Sequence, residues 1–270
     1  MINAQLIKTT LIRILGERST AFIQGLRFVY LLYTSRNIDP EITLLPKLLE
    51  KSDTTVDVGA NGANWTYWLH RAVGRHGLVL AFEADPYYAL ATEFTVRFLR
   101  LKGVKLFPFG LSDSEEEVPL RLIDSHGLRL AGLSHIDRNA GKDSGNVRLI
   151  RLRSLDSLTF ENPRLLTTTL IKCDVEGYEL FVFRGASKVL EQARPIVILE
   201  TGNFEMQGYS GKELNEFFAR RDYDCYAMTG ENTLERTDAA MEHDKALTVN
   251  RILFPREKVL EIKNRIRLLG

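Results

Sequence analysis

The run Val56-Asp57-Val58-Gly59-Ala60-Asn61-Gly62-Ala63-Asn64-Trp65-Thr66 constrains the chain more than any other stretch. Thr54 to Val58 reads as a short buried strand. The glycines then allow a tight turn, and the chain from Asn64 onward reads as a helix. A strand that passes through such a turn into a helix N-terminus begins an α/β domain. It also forms a cradle for a cofactor, because backbone N–H groups and close backbone approach meet there.

The chain around this run repeats the same alternation. Strands are expected at Thr54–Val58, Leu78–Phe82, Val104–Phe109, Thr168–Cys173 and Pro195–Leu199. Helices are expected from Ala63 to Val73, from Asp85-Pro86 to about Lys102, from Tyr178 to Gln192 and from Gly211 to Arg221. Asp85 before Pro86 is an N-cap followed by a first-turn proline. Strand-helix-strand repetition predicts a doubly wound, mostly parallel sheet with right-handed crossovers. Tyr223–Met228 and Val249–Phe254 read as a closing strand pair, and Arg256–Leu269 as an amphipathic helix. Val118–Ile123 and Val147–Leu152 read as strands around a Gly-, Asp-, Asn- and Ser-rich loop.

Residues 1–50 differ in character and are expected to form an N-terminal helical cap on a domain spanning 51–270. Leu6, Leu11, Ile14, Leu15, Phe22, Leu26, Val29, Tyr30 and Tyr33 recur at helical spacing, and Lys8, Arg13, Arg18, Arg27 and Arg36 outnumber Glu17 and Asp39. Such a helix suits packing on the domain, pairing with a second subunit as a homo-oligomer, or peripheral contact with a membrane surface. No stretch is apolar for the ~18 residues a transmembrane segment needs, and no signal-peptide pattern opens the chain. Net charge is +1, which argues against a general nucleic-acid binder. Cys173 and Cys225 lie inside apolar strands, as reduced cysteines of a cytoplasmic protein would.

Counting from Gly59, the second and third glycines of a dinucleotide fingerprint fall on Asn61 and Asn64. A pyrophosphate therefore lacks its close backbone approach. The turn suits a cofactor whose amino-acid tail lies over Asp57, Gly59, Ala60, Asn61 and, at the helix start, Thr66. Glu83 ends the second strand, where a carboxylate can accept from two vicinal ribose hydroxyls and would repel a 2′-phosphate. Ser112 and Asp113 follow the third strand and could meet a purine edge. Ile171-Lys172-Cys173-Asp174-Val175-Glu176-Gly177-Tyr178-Glu179 brings a lysine and three carboxylates to the end of the fourth strand. Chemistry in open α/β sheets sits at such ends. Each feature also has a bland reading: a ligand-free turn, a solvated strand-end Glu, a structural ion-pair network.

Together these stretches, with Ala81-Phe82-Glu83, Leu111-Ser112-Asp113 and Arg194-Pro195 leading to Glu200, resemble the FkbM family of S-adenosylmethionine-dependent methyltransferases. The resemblance covers about residues 54–200, and Lys-x-Asp-Val-Glu-Gly-x-Glu at 172–179 is its most specific part. It implies a class I, Rossmann-like methyltransferase fold and methylation of hydroxyl oxygens on small molecules, sugars or natural products. By position it implies that Asp57, Gly59, Asn61 and Glu83 hold the cofactor, with Lys172, Asp174 and Glu176 between cofactor and acceptor. Ala63 stands where the family commonly has Gly, and Ala84 where it often has Pro.

Asp174 is the expected base, with Lys172 setting its charge state and Glu200 as second choice. His126 and His135, in the irregular loop, are the other candidates. Asp174, Glu176 and Glu200 are hard oxygen donors of the kind Mg²⁺ takes. The irregularity expected at Gly177 argues against a common direction for them, so no metal is expected. Two rival functions are an NAD-dependent oxidoreductase and a cofactor-binding module without catalysis.

Overall fold

The computed structural model describes residues 2–34, 38–122, 134–138, 147–237, 246 and 248–269, with side chains left aside at 2–9 and 13. The helices are α1 (Ile2–Tyr33), α2 (Leu45–Leu48), α3 (Asn64–Val73), α4 (Pro86–Phe98), α5 (Glu179–Arg184), α6 (Ser187–Ala193), α7 (Gly211–Ala219) and α8 (Val259–Lys263). The strands are β1 (Thr54–Val58), β2 (Leu78–Phe82), β3 (Val104–Phe107), β4 (Gly110–Leu111), β5 (Glu116–Arg121), β6 (His135–Ile136) and β7 (Val147–Arg153). They continue with β8 (Thr168–Cys173), β9 (Ile196–Glu200), β10 (Tyr223–Gly230), β11 (Thr233–Thr237), β12 (Asn250–Pro255) and β13 (Arg267–Leu269).

The main sheet runs β13-β11-β10-β12-β9-β8-β1-β2-β3. From β9 to β3 all neighbours are parallel, and β12 enters antiparallel between β9 and β10. Side chains alternate across the sheet, so each central strand feeds two cores. Val56, Val58, Leu80, Phe82, Ile171, Cys173, Val197 and Leu199 fill one face. Val79, Leu170, Ile196, Ile198, Ile252 and Phe254 fill the other. Lys172 falls on this second face, opposite to Ile171 and Cys173. A second sheet, β4-β7-β5-β6, stands beside the carboxyl ends of the main strands. Its Leu111, Leu120, Ile136 and Leu152 close the first core from above.

Three expectations need correction. The helix expected over 178–192 is two helices, α5 and α6, parted at Gly185. A side chain at Gly185 would put its Cβ 1.9 Å from the Ser112 carbonyl oxygen, so the helix breaks where it meets the segment after β4. Asp156 then caps α6 from a distant loop, accepting from the Lys188 and Val189 N–H groups at 2.8 and 3.0 Å. The expected C-terminal helix is one short helix, α8, followed by β13. Ile262 and Ile266 bury against the core, and Arg267–Leu269 then satisfies the edge of β11 in parallel register. The polar connection between the closing strands contains β11, antiparallel to β10.

The N-terminal helix kinks at Gly16 (φ 81°, ψ 161°) and lies along α4. Its inner face meets Tyr87, Tyr88 and Ala91 through Ala21 and Phe28, and the Tyr87 hydroxyl donates to the Thr20 carbonyl at 3.2 Å. No helix among the described residues is long and apolar enough to cross a membrane.

Candidate active site

Strand order reverses between β1 and β8, and a cleft opens at the carboxyl ends of the strands there. That is where open α/β sheets take ligands. Its empty space, counted out to the mouth, is about 860 Å³.

The turn after β1 forms its floor. The Gly59 and Ala60 N–H groups both donate to the Phe82 carbonyl, at 2.9 and 3.0 Å, locking the turn to β2. Gly59 has φ +85°, and a Cβ there would lie 1.9 Å from the Asp174 carbonyl oxygen. Only glycine lets the turn meet the end of β8. Asn61 donates its N–H to Glu83 Oε2 at 2.8 Å, and Asp85 donates its N–H to Glu83 Oε1 at 2.8 Å. One carboxyl thus joins the turn to the loop before α4. Glu83 lines the cleft, and each of its oxygens has acceptor capacity beyond the one N–H it takes. Burial pushes the Glu83 carboxyl up to about 8, against the pull of these two N–H groups.

Asp57 and Thr66 stand behind the floor. Asp57 is buried and accepts a short 2.5 Å hydrogen bond from the Thr66 hydroxyl, tying β1 to α3. Burial raises Asp57 to about 6, with Thr66 and Lys172 opposing that rise. Neither residue lines the cleft, nor does Ala60. Ser112 is buried beside the Tyr178 hydroxyl at 3.3 Å, and Asp113 is exposed; the wall at this point is Gly110 and Leu111.

Lys172 is buried beneath the cleft. Its Nζ donates to Asn250 Oδ1 at 3.1 Å and to the Cys173 carbonyl at 3.4 Å, and lies 3.8 Å from Asp174 Oδ2 and 5.3 Å from the centre of the Trp65 ring. Asn250 in turn donates to the fully buried Glu41 at 3.2 Å. Asp174, Glu176 and Glu200 project into the cleft, their carboxylate oxygens within 4.8 Å of one another. The backbone does turn at Glu176 (φ 55°) and Gly177 (φ 91°), yet that turn gathers the three carboxylates instead of scattering them. Crowding shows in their proton affinity. Burial, then the Asp174 charge and a hydrogen bond with it, push Glu200 up to about 8. Burial and the Asp174 charge push Glu176 to about 7.

The opposite wall is Phe82, Leu111, Leu120, Ile136 and Leu152, with Tyr88, Ser134, His135 and Tyr178 at its edges. His126 lies outside the described residues. Three residues with no site role expected from the sequence stand out. Asp85 lines the cleft while capping α4 and accepting from the Ser134 hydroxyl at 3.1 Å. Tyr178 accepts from Arg138 at 2.7 Å. Asn250 holds Lys172 from 78 residues further along the chain. The first carried a signal, two residues after Glu83; the last carried none.

Glu83, Asp85, Asp174, Glu176 and Glu200 line the cleft, and among its described lining residues there is neither lysine nor arginine. A pyrophosphate would meet no counter-charge from these side chains. A sulfonium meets the acidic cluster of Asp174, Glu176 and Glu200 on one side, the purine an apolar wall on the other, and the ribose hydroxyls an acceptor in Glu83. The residues fit S-adenosylmethionine.

The sheet and this cleft define a class I S-adenosylmethionine-dependent methyltransferase. The family profile described as the methyltransferase FkbM domain matches residues 57–225, and the chain belongs to that family. No curated protein matches it. Solved structures similar to it include a methyltransferase FkbM from Methylobacillus flagellatus KT, 14% identical over 91% of this chain and 60% of that one, with a TM-score of 0.49. This chain therefore spans less than two thirds of that protein. A SAM-dependent methyltransferase from Aquifex aeolicus is 15% identical over 70% of this chain and 82% of its own, with a TM-score of 0.40. A SAM-dependent O-methyltransferase from Thermotoga maritima is 13% identical over 84% and 69%, also with a TM-score of 0.40. The family assignment rests on the profile, not on these likenesses.

Proposed function

We propose that the chain methylates a hydroxyl oxygen of a small molecule, sugar, glycan or natural product. The observation that carries this reading is Asp174 at the cleft, 3.8 Å from the buried Lys172 ammonium and hydrogen-bonded to a Glu200 whose proton is held up to about 8. A hydroxyl must lose its proton as it gains a methyl group, and a base positioned for that contributes typically ~10²–10⁴-fold.

Bound S-adenosylmethionine supplies an electrophilic methyl group on sulfur. The chain supplies place and proton transfer. Glu83 would take the ribose hydroxyls, Gly59 and the Asn61 turn would support the methionine portion, and Phe82 and Leu111 would flank the purine. Asp57, Ala60 and Thr66 hold the turn from behind, and Ser112 supports the wall through the Tyr178 hydroxyl. Asp174 would take the proton of the acceptor hydroxyl, whose oxygen would receive the methyl group. Lys172 offsets the negative charge on Asp174, and Glu200 keeps its proton beside it. Residues 1–50 form a helical appendage on a transferase unit of 51–270; none of the described residues of that segment lines the cleft.

Incubation with S-adenosylmethionine carrying a tritiated methyl group and a panel of sugars, phenols, polyols and amines tests the reading. Label in ether linkage on hydroxyl acceptors, lost in Asp174→Asn, is the expected result. Label on amines alone, or tight cofactor binding with no transfer across the panel, would overturn it.

A further inference from the structure

The flank of α1 beside α4 leaves large apolar side chains partly in solvent, Phe22 resting edge-on against Phe94 and Leu26 and Tyr30 sharing a groove with Phe98. Past the kink at Gly16, Phe22, Ile23, Leu26 and Tyr30 are each at least 40% exposed, and Phe98 of α4 continues the patch at 56%. Exposed apolar patches rimmed by polar residues commonly mark protein or membrane contact sites. Helical spacing of 3.6 residues per turn puts these four α1 residues in one arc. The same spacing sets the exposed Arg18 on one border of the arc and the exposed Arg27 on the other. From Arg18 to Tyr33 the sequence holds no carboxylate. The nearest, Glu17, is committed to Arg148 at 3.0 Å.

That charge pattern decides what covers the face. A second copy of the chain, packed by a two-fold axis through Phe22 and Ile23, would bring Arg18 of one copy towards Arg27 of the other. Neither arginine would find an acid on that face. An anionic bilayer supplies the missing charge. Arginine stems can lie along the apolar arc while the guanidinium groups reach lipid phosphates. Tyrosine is also a residue that settles at headgroup level.

We propose that α1 docks the protein on an anionic membrane surface, its Phe22–Tyr30 arc seated in the interface and Arg18 and Arg27 at phosphate level. The helix lies in the plane of the surface, since none of the described helices is long and apolar enough to span it.

Sedimentation of the full chain with vesicles tests this directly. Vesicles of phosphatidylcholine with phosphatidylglycerol should carry the protein down, and vesicles of phosphatidylcholine alone should carry much less. Arg18→Gln with Arg27→Gln should weaken the anionic partition about fivefold per arginine removed. Ile23→Ser should weaken it without changing the salt dependence. Unchanged far-ultraviolet dichroism and melting would show that both variants remain folded. Equal partition to neutral and anionic vesicles, or no loss in the arginine variant, would overturn the proposal. So would a concentration-dependent dimer in ultracentrifugation that Ile23→Ser dissociates while vesicles leave the protein in the supernatant.

Discussion

The carboxyl groups of the cleft are separated in role by their surroundings. Glu83 sits where two N–H groups fix both its oxygens, so its orientation is set before any ligand arrives. Glu83→Gln keeps the size of the side chain but turns one acceptor toward a backbone N–H into a donor, and it removes the charge the carboxyl can carry above about pH 8. A hydrogen bond to a charged group contributes roughly 1.5–3 kcal/mol, so affinity for S-adenosylmethionine at pH 9 should fall by about one to two orders of magnitude in calorimetry. Melting should fall modestly, since one backbone N–H loses its acceptor. An unchanged affinity would take Glu83 out of the site. Asp174→Asn acts on another quantity. Turnover should fall by ~10²–10⁴-fold, while cofactor affinity stays within a few-fold. Undiminished turnover would move the base elsewhere, with Glu200 and His135 the residues to examine. Some of this was legible beforehand and some was not. Glu83 and Asp174 were readable because a strand end exposes a side chain to the cleft wherever the sheet reverses. The places of Ser112 and Asp113 were not readable, because the chain turns into β4 and sets Gly110 and Leu111 against the cleft. Asn250 was invisible too: its contact with Lys172 joins residues that only the fold brings together.

At the scale of elements, the strand-turn-helix at 54–66 positions the site, and its geometry makes a sharp demand. Gly59→Ala adds a methyl group into the Asp174 carbonyl at a left-handed backbone position. The conformation alone costs ~1–2 kcal/mol, and the clash must be relieved by moving the turn or the end of β8. Melting temperature and cofactor affinity should fall together; retention of both would contradict the close approach. The cap on α6 provides a contrast far from the cleft. Asp156→Ala leaves the Lys188 and Val189 N–H groups without their acceptor and should destabilise the fold by about 1 kcal/mol, the usual cost of a lost cap. Denaturant unfolding should show it, with cofactor affinity unaltered. The parallel strands were readable as apolar runs because both their faces are buried. The break at Gly185 and the turn of 267–269 into β13 were not. Each is decided by a partner remote in sequence, the Ser112 carbonyl in one case and the open edge of β11 in the other.

Across the whole molecule, several buried and half-buried carboxyl groups share one direction of shift. Asp57 is raised from 3.8 to about 6, Glu176 and Glu179 from 4.5 to about 7, and Glu83 and Glu200 from 4.5 to about 8, burial being the largest cause for each. A carboxyl that binds its proton more tightly folded than unfolded contributes stability that is complete below its unfolded value. That stability is lost as pH rises through the folded value. The ligand-free protein should therefore melt at progressively lower temperature from about pH 5 to about pH 8.5, by thermal scans at constant ionic strength. A flat or rising profile would contradict the burial of these groups in one low-dielectric region. Cofactor binding should run the opposite way with pH, because a cationic sulfonium and ribose donors favour the ionised acids. Isothermal titration of the full chain with S-adenosylmethionine at pH 6 and pH 9, with NAD as a parallel titrant, puts that contrast to the test. S-adenosylmethionine should bind at a single site, more tightly at pH 9 than at pH 6, and NAD should not bind. Binding of NAD, or S-adenosylmethionine affinity that falls as the cleft carboxylates ionise, would contradict the assignment of this cleft to a cationic methyl donor.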